Sequence, residues 1–182
     1  MAKDIRPNDP AAGDLAAAKA ALIAECAREE ENALYTSTNF FVWLRFLKGA
    51  RAMLWVGAAV CSVLAASQIL RNDPDQKILM AAAALAAVIL PAVGRGLQID
   101  SMIRDYTKAA SAFKNLQVEF RRAKLVWSNL PWPEFKAEAQ KLFKAMNDAR
   151  KPSLTPPEWC FWLARRKIKV GHYTHDADAP LT

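Results

Sequence analysis

Few side chains in this sequence could act as metal ligands or catalytic groups, and their spacing matches no metal-site or catalytic motif. His172 and His175 form an H-x-x-H pair close to the C-terminus. Two histidines alone are a poor metal site, because a zinc ion is held by three or four protein ligands. Cys26, Cys61 and Cys160 are odd in number and far apart. They predict neither a disulfide framework nor a metal site, and they suit a reducing cytosol.

Other catalytic patterns are also missing from the sequence. The six glycines are not clustered, so there is no glycine-rich loop to hold a phosphate group. The acidic run Glu29–Glu31 is predicted to be a solvated helix face, and no base stands next to Cys160. We therefore predict that the protein is not an enzyme, with no catalytic residues, no metal and no cofactor.

The strongest pattern is a pair of apolar stretches, Ala52–Leu70 and Ile78–Gly94, without Asp, Glu, Lys, Arg or His. As helices they would be roughly 28 and 26 Å long, close to the ~30 Å hydrocarbon core of a bilayer. The short connector Arg71–Lys77 joins them. This pattern predicts a transmembrane helical hairpin. The alternative is a helical hairpin buried in a soluble bundle, which the alanine-rich second stretch favours.

Basic residues predict the orientation of this hairpin. Three precede the first stretch, two lie in the connector and three follow the second: Arg45, Lys48, Arg51, Arg71, Lys77, Arg95, Arg104 and Lys108. The positive-inside rule then places both termini in the cytoplasm. A net charge of +7 attracts anionic lipid or nucleic acid. With a hairpin present we expect the lipid bilayer as partner and no nucleic acid.

The predicted fold is all-α, with a two-span transmembrane helical hairpin whose long helices extend into a cytosolic helical bundle. Five segments follow from the pattern. They are a disordered tail (1–13), an N-terminal cytosolic and juxtamembrane helix (14–51), the hairpin (52–94), cytosolic helices (95–151), and a proline-rich linker with a short C-terminal helix and tail (152–182). Asp14 is the predicted N-cap of the first helix, and Thr36–Thr38 mark a bend or restart.

A heptad seam is predicted on the helix that continues from the second span. Its residues are spaced alternately four and three apart: Met102, Tyr106, Ala109, Phe113, Leu116, Phe120, Ala123 and Trp127. Aromatic side chains at these positions favour a helical bundle, within one chain or between subunits, over a two-stranded coiled coil. Pro131 and Pro133 are expected to end this helix. The next one repeats the spacing from Phe135 to Ala149.

Two aromatic clusters flank the cytosolic helices, and each has two interpretations. The cluster before the first span contains Phe40, Phe41, Trp43 and Phe46. It is an interfacial belt or a packing surface for the other helices. The cluster in the C-terminal helix, Trp159–Trp162, precedes the basic run Arg165–Lys169. It suits a membrane surface, although docking of the aromatics on the bundle is favoured. A capping box at Thr155–Glu158 is predicted to start that helix.

Small residues recur every four positions on the first span. One stripe consists of Gly57, Cys61 and Ala65, and another of Ala58, Ser62 and Ala66. Such spacing lets helix backbones approach closely in lipid, although an alanine-rich composition also produces it by chance. We predict these six residues to pack the spans or line a pore. The absence of ionisable residues within the spans argues against proton-coupled transport or voltage sensing.

The order of these segments resembles the SLATT family, two-transmembrane effector domains that accompany bacterial nucleotide-signalling systems. The resemblance covers roughly residues 20–170 and includes the seam Tyr106…Ala112-Phe113…Leu116. It implies a pore-forming inner-membrane effector of anti-phage defence that acts as a homo-oligomer. A separate nucleotide-producing or nucleotide-sensing protein would trigger it. The family provides no catalytic residues to carry over.

Two functions from different classes are therefore predicted. The first is a conditional pore, in which a signal changes the packing of the cytosolic helices. The alternative is a membrane-anchored scaffold, whose seam between Met102 and Trp127 binds a protein partner.

Overall fold

The computed structural model describes residues 10–71, 77–151 and 154–170, where all regular structure is helical. The helices are α1 (Pro10–Arg71), α2 (Lys77–Gly96), α3 (Ile99–Leu125), α4 (Trp132–Arg150) and α5 (Glu158–Lys169), and a 3-10 turn lies at Trp127–Asn129. The predicted all-α class is confirmed for these residues, as is the presence of two long helices with strongly apolar windows. The predicted N-terminal tail up to residue 9, connector residues 72–76, linker residues 152–153 and the C-terminal tail with His172 and His175 lie outside the described residues.

α1 is one continuous helix of 62 residues, so two sequence-based predictions about it were wrong. It begins at Pro10, which places Asp14 inside the helix instead of at its N-cap. Proline fits there because the first helical turn needs no donor from its N–H. The helix also passes through Thr36–Thr38 without a break. Ser37 Oγ donates to the Leu34 carbonyl oxygen at 3.1 Å, so its hydroxyl is satisfied within the helix.

A turn separates α2 from α3, which corrects the prediction of one helix continuing out of the second apolar stretch. Gln98 has a φ of 51°, in the left-handed region that a right-handed helix cannot include. The N–H of Leu97 donates to the Val93 carbonyl at 2.9 Å, and that of Gln98 to the Arg95 carbonyl at 3.0 Å. These bonds close the end of α2, and α3 starts afresh at Ile99.

The ends of the last three helices also differ in detail from the predictions. α3 ends at Leu125, before the prolines that were expected to stop it, and Pro131 instead occupies the N-cap position of α4. α5 begins at Glu158, and the residue at its N-cap position is Pro157. The two N-cap prolines have φ values of −53° and −57°, within the range that the proline ring imposes.

Two compact units are present, and each has its own core. Unit 1 consists of Met1–Phe40 with Lys108–Thr182, and unit 2 of Phe41–Thr107. Buried residues of unit 1 come from α1, α3, α4 and α5 and include Cys26, Ala33, Phe113, Phe120, Phe135, Ala139, Met146, Cys160 and Ala164. Those of unit 2 include Val42, Leu44, Leu47, Ala58, Ala65, Ile99 and Tyr106. The buried residues of unit 1 include both small side chains and large aromatic ones.

Candidate functional site

The apolar parts of α1 and α2 approach each other closely at two glycines of unit 2. A Cβ atom added at Gly57 of α1 would lie 3.3 Å from Cδ1 of Leu90. One added at Gly94 of α2 would lie 3.3 Å from Cδ1 of Leu54. Each glycine thus receives a leucine side chain of the opposite helix, as small residues do where membrane helices pack.

Four of the six small residues singled out in the sequence form the covered face of α1. Ala58 and Ala65 are buried, and Gly57 and Cys61 are half-buried. Residues three, four and seven or eight apart lie on one side of a helix, which is why these four are covered together. This is the face through which the helix packs within a single chain.

Ser62 and Ala66 lie outside that face, and both are exposed. The predicted stripe through Ala58, Ser62 and Ala66 is therefore not one packing face within the chain. A helix turns about 100° per residue, so Ser62 and Ala66 each lie about 100° beyond Cys61 and Ala65, which are on the covered face. Ser62 Oγ donates to the Ala58 carbonyl oxygen at 2.9 Å, which satisfies the hydroxyl without a partner from another helix.

Large apolar side chains cover the outer sides of both helices. No residue of α2 is buried, and Ile78 and Val88 are 85% and 71% exposed. The other large apolar residues exposed on these two stretches are Met53, Trp55, Val56, Val60, Val63, Leu64, Leu79, Leu85, Ile89 and Val93. An apolar surface this extensive is rare on soluble monomers and marks contact with a partner or with lipid.

An ion pair joins α1 to the first turn of α3, close to the apolar stretches of α1 and α2. Arg51 Nε is 3.1 Å from Asp100 Oδ1, and both side chains are more than half exposed. A cavity of about 30 Å³ beside this ion pair is lined partly by Trp55 and Pro91. A space of that size holds about one water molecule and is too small for an organic ligand.

The aromatic cluster around Phe40 is divided between packing and exposure. Phe40 is buried in unit 1, with its ring centroid 5.7 Å from that of Phe113. In unit 2, Trp43 stacks on Phe46 at 5.2 Å and meets Tyr106 edge-on at 6.4 Å. Phe46 itself is exposed, as is Phe41. Packing therefore explains part of this cluster, and exposed aromatic surface remains.

The predicted heptad seam of α3 is largely covered by the chain itself. In unit 1, Phe113, Leu116, Phe120 and Ala123 are buried, and Trp127 is half-buried. Phe120 packs against Phe143 of α4 with ring centroids 5.7 Å apart. In unit 2, Tyr106 is buried, and Met102 is half-buried.

The acidic run Glu29–Glu31 is only partly the solvated face that was predicted. Glu29 Oε2 accepts from Arg150 Nη2 of α4 at 2.5 Å, and Glu30 Oε2 accepts from Lys124 Nζ of α3 at 2.8 Å. The two carboxylates are mostly covered, whereas Glu31 is exposed. Charge-assisted hydrogen bonds of this kind tie α1 to α3 and α4 within unit 1.

The most deeply buried residues of α5 are small, whereas its aromatic side chains, which were expected to dock on the bundle, are more exposed. Cys160 and Ala164 are buried, whereas the large apolar residues of the helix, Trp159, Phe161, Trp162 and Leu163, are exposed. Small side chains allow the helix backbone to approach its neighbours, and this leaves the bulky side chains on the outer side.

No group of three metal-ligating side chains occurs among the residues that the structure describes. The three cysteines are free thiols, and two of them, Cys26 and Cys160, are buried. Burial raises the pKa of both thiols, to about 11 for Cys26, where the charge of Glu25 adds to the effect. A raised pKa makes a thiol a poor nucleophile at neutral pH.

We expect Cys26 to resist alkylation in the folded protein. A pKa of about 11, compared with 9.0 for an ordinary cysteine, lowers the thiolate fraction at pH 8 about a hundredfold. Iodoacetamide should therefore modify Cys26 at least a hundred times more slowly in the native protein than in denaturant, as followed by mass spectrometry of its peptide. Equal rates in the two states would contradict the burial of this thiol.

Comparisons with family models, with curated proteins and with solved structures find no significant match to this chain. The class of protein is therefore defined by its own features. In the part of the chain that the structure describes, all regular structure is helical, and two long helices have apolar stretches that are largely exposed. The SLATT resemblance stays a prediction from the sequence.

Proposed function

We propose that α1 and α2 cross the bacterial inner membrane as a helical hairpin and that several copies assemble into a conditional pore. The exposed apolar surface of unit 2 is the observation that carries this proposal. The second candidate membrane-spanning segment begins with α2, and its most apolar window of 18 residues contains no buried residue. A core helix of a soluble protein would be covered, whereas lipid solvates such a surface favourably.

The orientation follows from the flanking basic residues. They favour cytoplasmic termini, with the connector 71–77 on the periplasmic side. Ser62 and Ser67 support insertion as well, because each donates its hydroxyl to a carbonyl of its own helix at 2.9 Å. Polar side chains satisfied in this way can be placed in a bilayer at little cost.

Cysteine labelling tests this topology in a chain whose native cysteines are replaced by alanine. We expect a cysteine at Asn72, in the connector, to react with a membrane-impermeant maleimide in whole cells. A cysteine at Asn147, exposed on α4, should react only after the cells are permeabilised. The opposite pattern would show the reverse orientation, and recovery of the chain in the soluble fraction would overturn the membrane assignment.

The exposed small residues of α1 suit contacts between copies. Gly57, Ala58, Cys61 and Ala65 are used within the chain, whereas Ser62 and Ala66 are exposed. Small side chains on a free helix face let a second helix approach closely in lipid. We therefore assign the contact between copies of α1 to the face that carries Ser62 and Ala66.

This proposed function agrees with the resemblance to SLATT effectors, which implies a signal supplied by a separate nucleotide-producing or nucleotide-sensing protein. The test is loss of membrane potential after induced expression, measured with a potential-sensitive dye. Potential loss and growth arrest, alone or with the neighbouring signalling genes, would support the pore. An unchanged potential under both conditions would exclude it.

The scaffold alternative is less well supported by the packing. Its proposed partner surface was the α3 seam, yet Phe113 and Phe120 are already covered by the aromatic rings of Phe40 and Phe143. A partner would have to displace these contacts before binding there. A stable co-purifying protein in cells with normal potential would nevertheless favour the scaffold.

A further inference from the structure

We propose that α5 is an interfacial helix whose outer face binds the headgroups of an anionic phospholipid surface. The inference rests on the proposed membrane location of the chain but not on the pore. It begins from Trp162, which is 71% exposed on a helix whose buried residues are Cys160 and Ala164.

The docked and outer sides of α5 are chemically distinct. Cys160 and Ala164 are buried, and Lys167 and Ile168 are half-buried on the same side. Trp162 lies on the opposite side, since it is two residues from each of the buried pair and a helix turns about 100° per residue.

Cations surround this tryptophan on the outer face. Arg165, Arg166 and Lys169 are exposed, and together with Trp162 and Val170 they line a shallow surface depression. Residues three, four and seven apart are neighbours on a helix surface, so these three cations lie beside Trp162. The helix carries four basic residues against one acidic residue, Glu158.

This composition favours an anionic lipid surface over a second copy of the chain. A contact between two such faces would bring Arg165, Arg166 and Lys169 against the same cations, and like charges repel. A tryptophan ring at headgroup depth, with flexible cations reaching phosphates around it, is the arrangement of helices that lie in a membrane surface.

The test uses the full chain in lipid nanodiscs, either neutral phosphatidylcholine or the same lipid with phosphatidylglycerol. The native cysteines are replaced by alanine, and a spin label is attached through Leu163→Cys, which keeps Trp162 and the cations. A second protein carries the label through Gln140→Cys on an exposed position of α4. Accessibility to a water-soluble nickel chelate and to oxygen reports whether each label lies in water or in lipid.

We expect the label at position 163 to enter the lipid headgroup region in anionic discs and to stay in water in neutral discs. The label at position 140 should stay in water in both. In anionic discs, the variant Arg165→Glu, Arg166→Glu, Lys169→Glu should lower the ratio of label in the lipid headgroup region to label in water at least ~tenfold. The matched variant Lys136→Glu, Lys141→Glu, Lys144→Glu on α4 should leave that ratio unchanged.

Three results would overturn the inference. A label at 163 that stays in water in anionic discs would exclude lipid contact. Protection that occurs equally in detergent and increases with protein concentration would assign the face to a second copy. Failure of the chain to co-purify with the discs would overturn the membrane location and this inference with it, whereas co-purification with a water-exposed label would overturn the inference alone.

Discussion

Ser62→Leu should reach the membrane at wild-type levels yet depolarise cells about tenfold less. The substitution keeps α1 apolar, so insertion is preserved. Ser62 is exposed and bonds only to a carbonyl of its own helix, so the change leaves the packing within one chain intact. A leucine there would push a neighbouring copy away, and the loss of about 1–2 kcal/mol per helix contact corresponds to roughly a tenfold weaker assembly. A potential-sensitive dye and membrane fractionation measure the two effects.

Leu64→Ile is the matched control, because Leu64 is exposed on another side of the same helix. It changes the shape of the side chain but not its volume, so we expect potential loss close to that of the wild type. If Ser62→Leu also behaves like the wild type while the wild type depolarises, the contact between copies lies elsewhere, and α2, none of whose residues is buried, becomes the next helix to test.

Phe120→Ala should destabilise unit 1 by about 3–5 kcal/mol, which for a chain of this size corresponds to a fall in Tm of roughly 6–20 °C. Phe120 is fully buried, and its ring packs against Phe143. Removing it leaves a cavity that the surrounding helices fill only in part. Thermal unfolding in mild detergent, followed by near-ultraviolet circular dichroism, gives the difference.

Val118→Ala is the control on the same helix, because Val118 is 41% exposed and its truncation opens no cavity. Surface changes of this kind usually alter stability by less than ~0.5 kcal/mol. Equal Tm values for the two variants would mean that the α3 seam does not stabilise unit 1.

The helical class and the two apolar stretches could be predicted because they depend on local properties. Helix-forming residues and the absence of charge over Ala52–Leu70 are visible in the sequence without knowledge of neighbours. The spacing of Phe113 and Phe120 likewise marks one face of a helix, and both residues are buried. Helix ends were less predictable, since Gln98 gives no sequence signal for the left-handed turn that separates α2 from α3.

Contacts between distant residues could not be predicted, because no periodicity encodes them. Glu29 and Glu30 bond to Arg150 and Lys124, which lie 121 and 94 residues further along the chain. From the sequence they are three acidic residues on a helix, which is typical of a solvated surface. Only the arrangement of α1, α3 and α4 brings cations to two of them.

The sequence by itself determined that the chain is helical and that two stretches are apolar enough for a bilayer. The tertiary structure decided which faces of those helices are covered. The sequence shows two equivalent stripes of small residues on α1, and the structure covers Gly57 and Cys61 while Ser62 and Ala66 stay exposed. In α5 it buries Cys160 and leaves Trp162 outside. The reason is physical: hydrophobicity selects apolar side chains for burial, but the close approach of two helices selects small ones, and only the packed structure shows where that approach occurs.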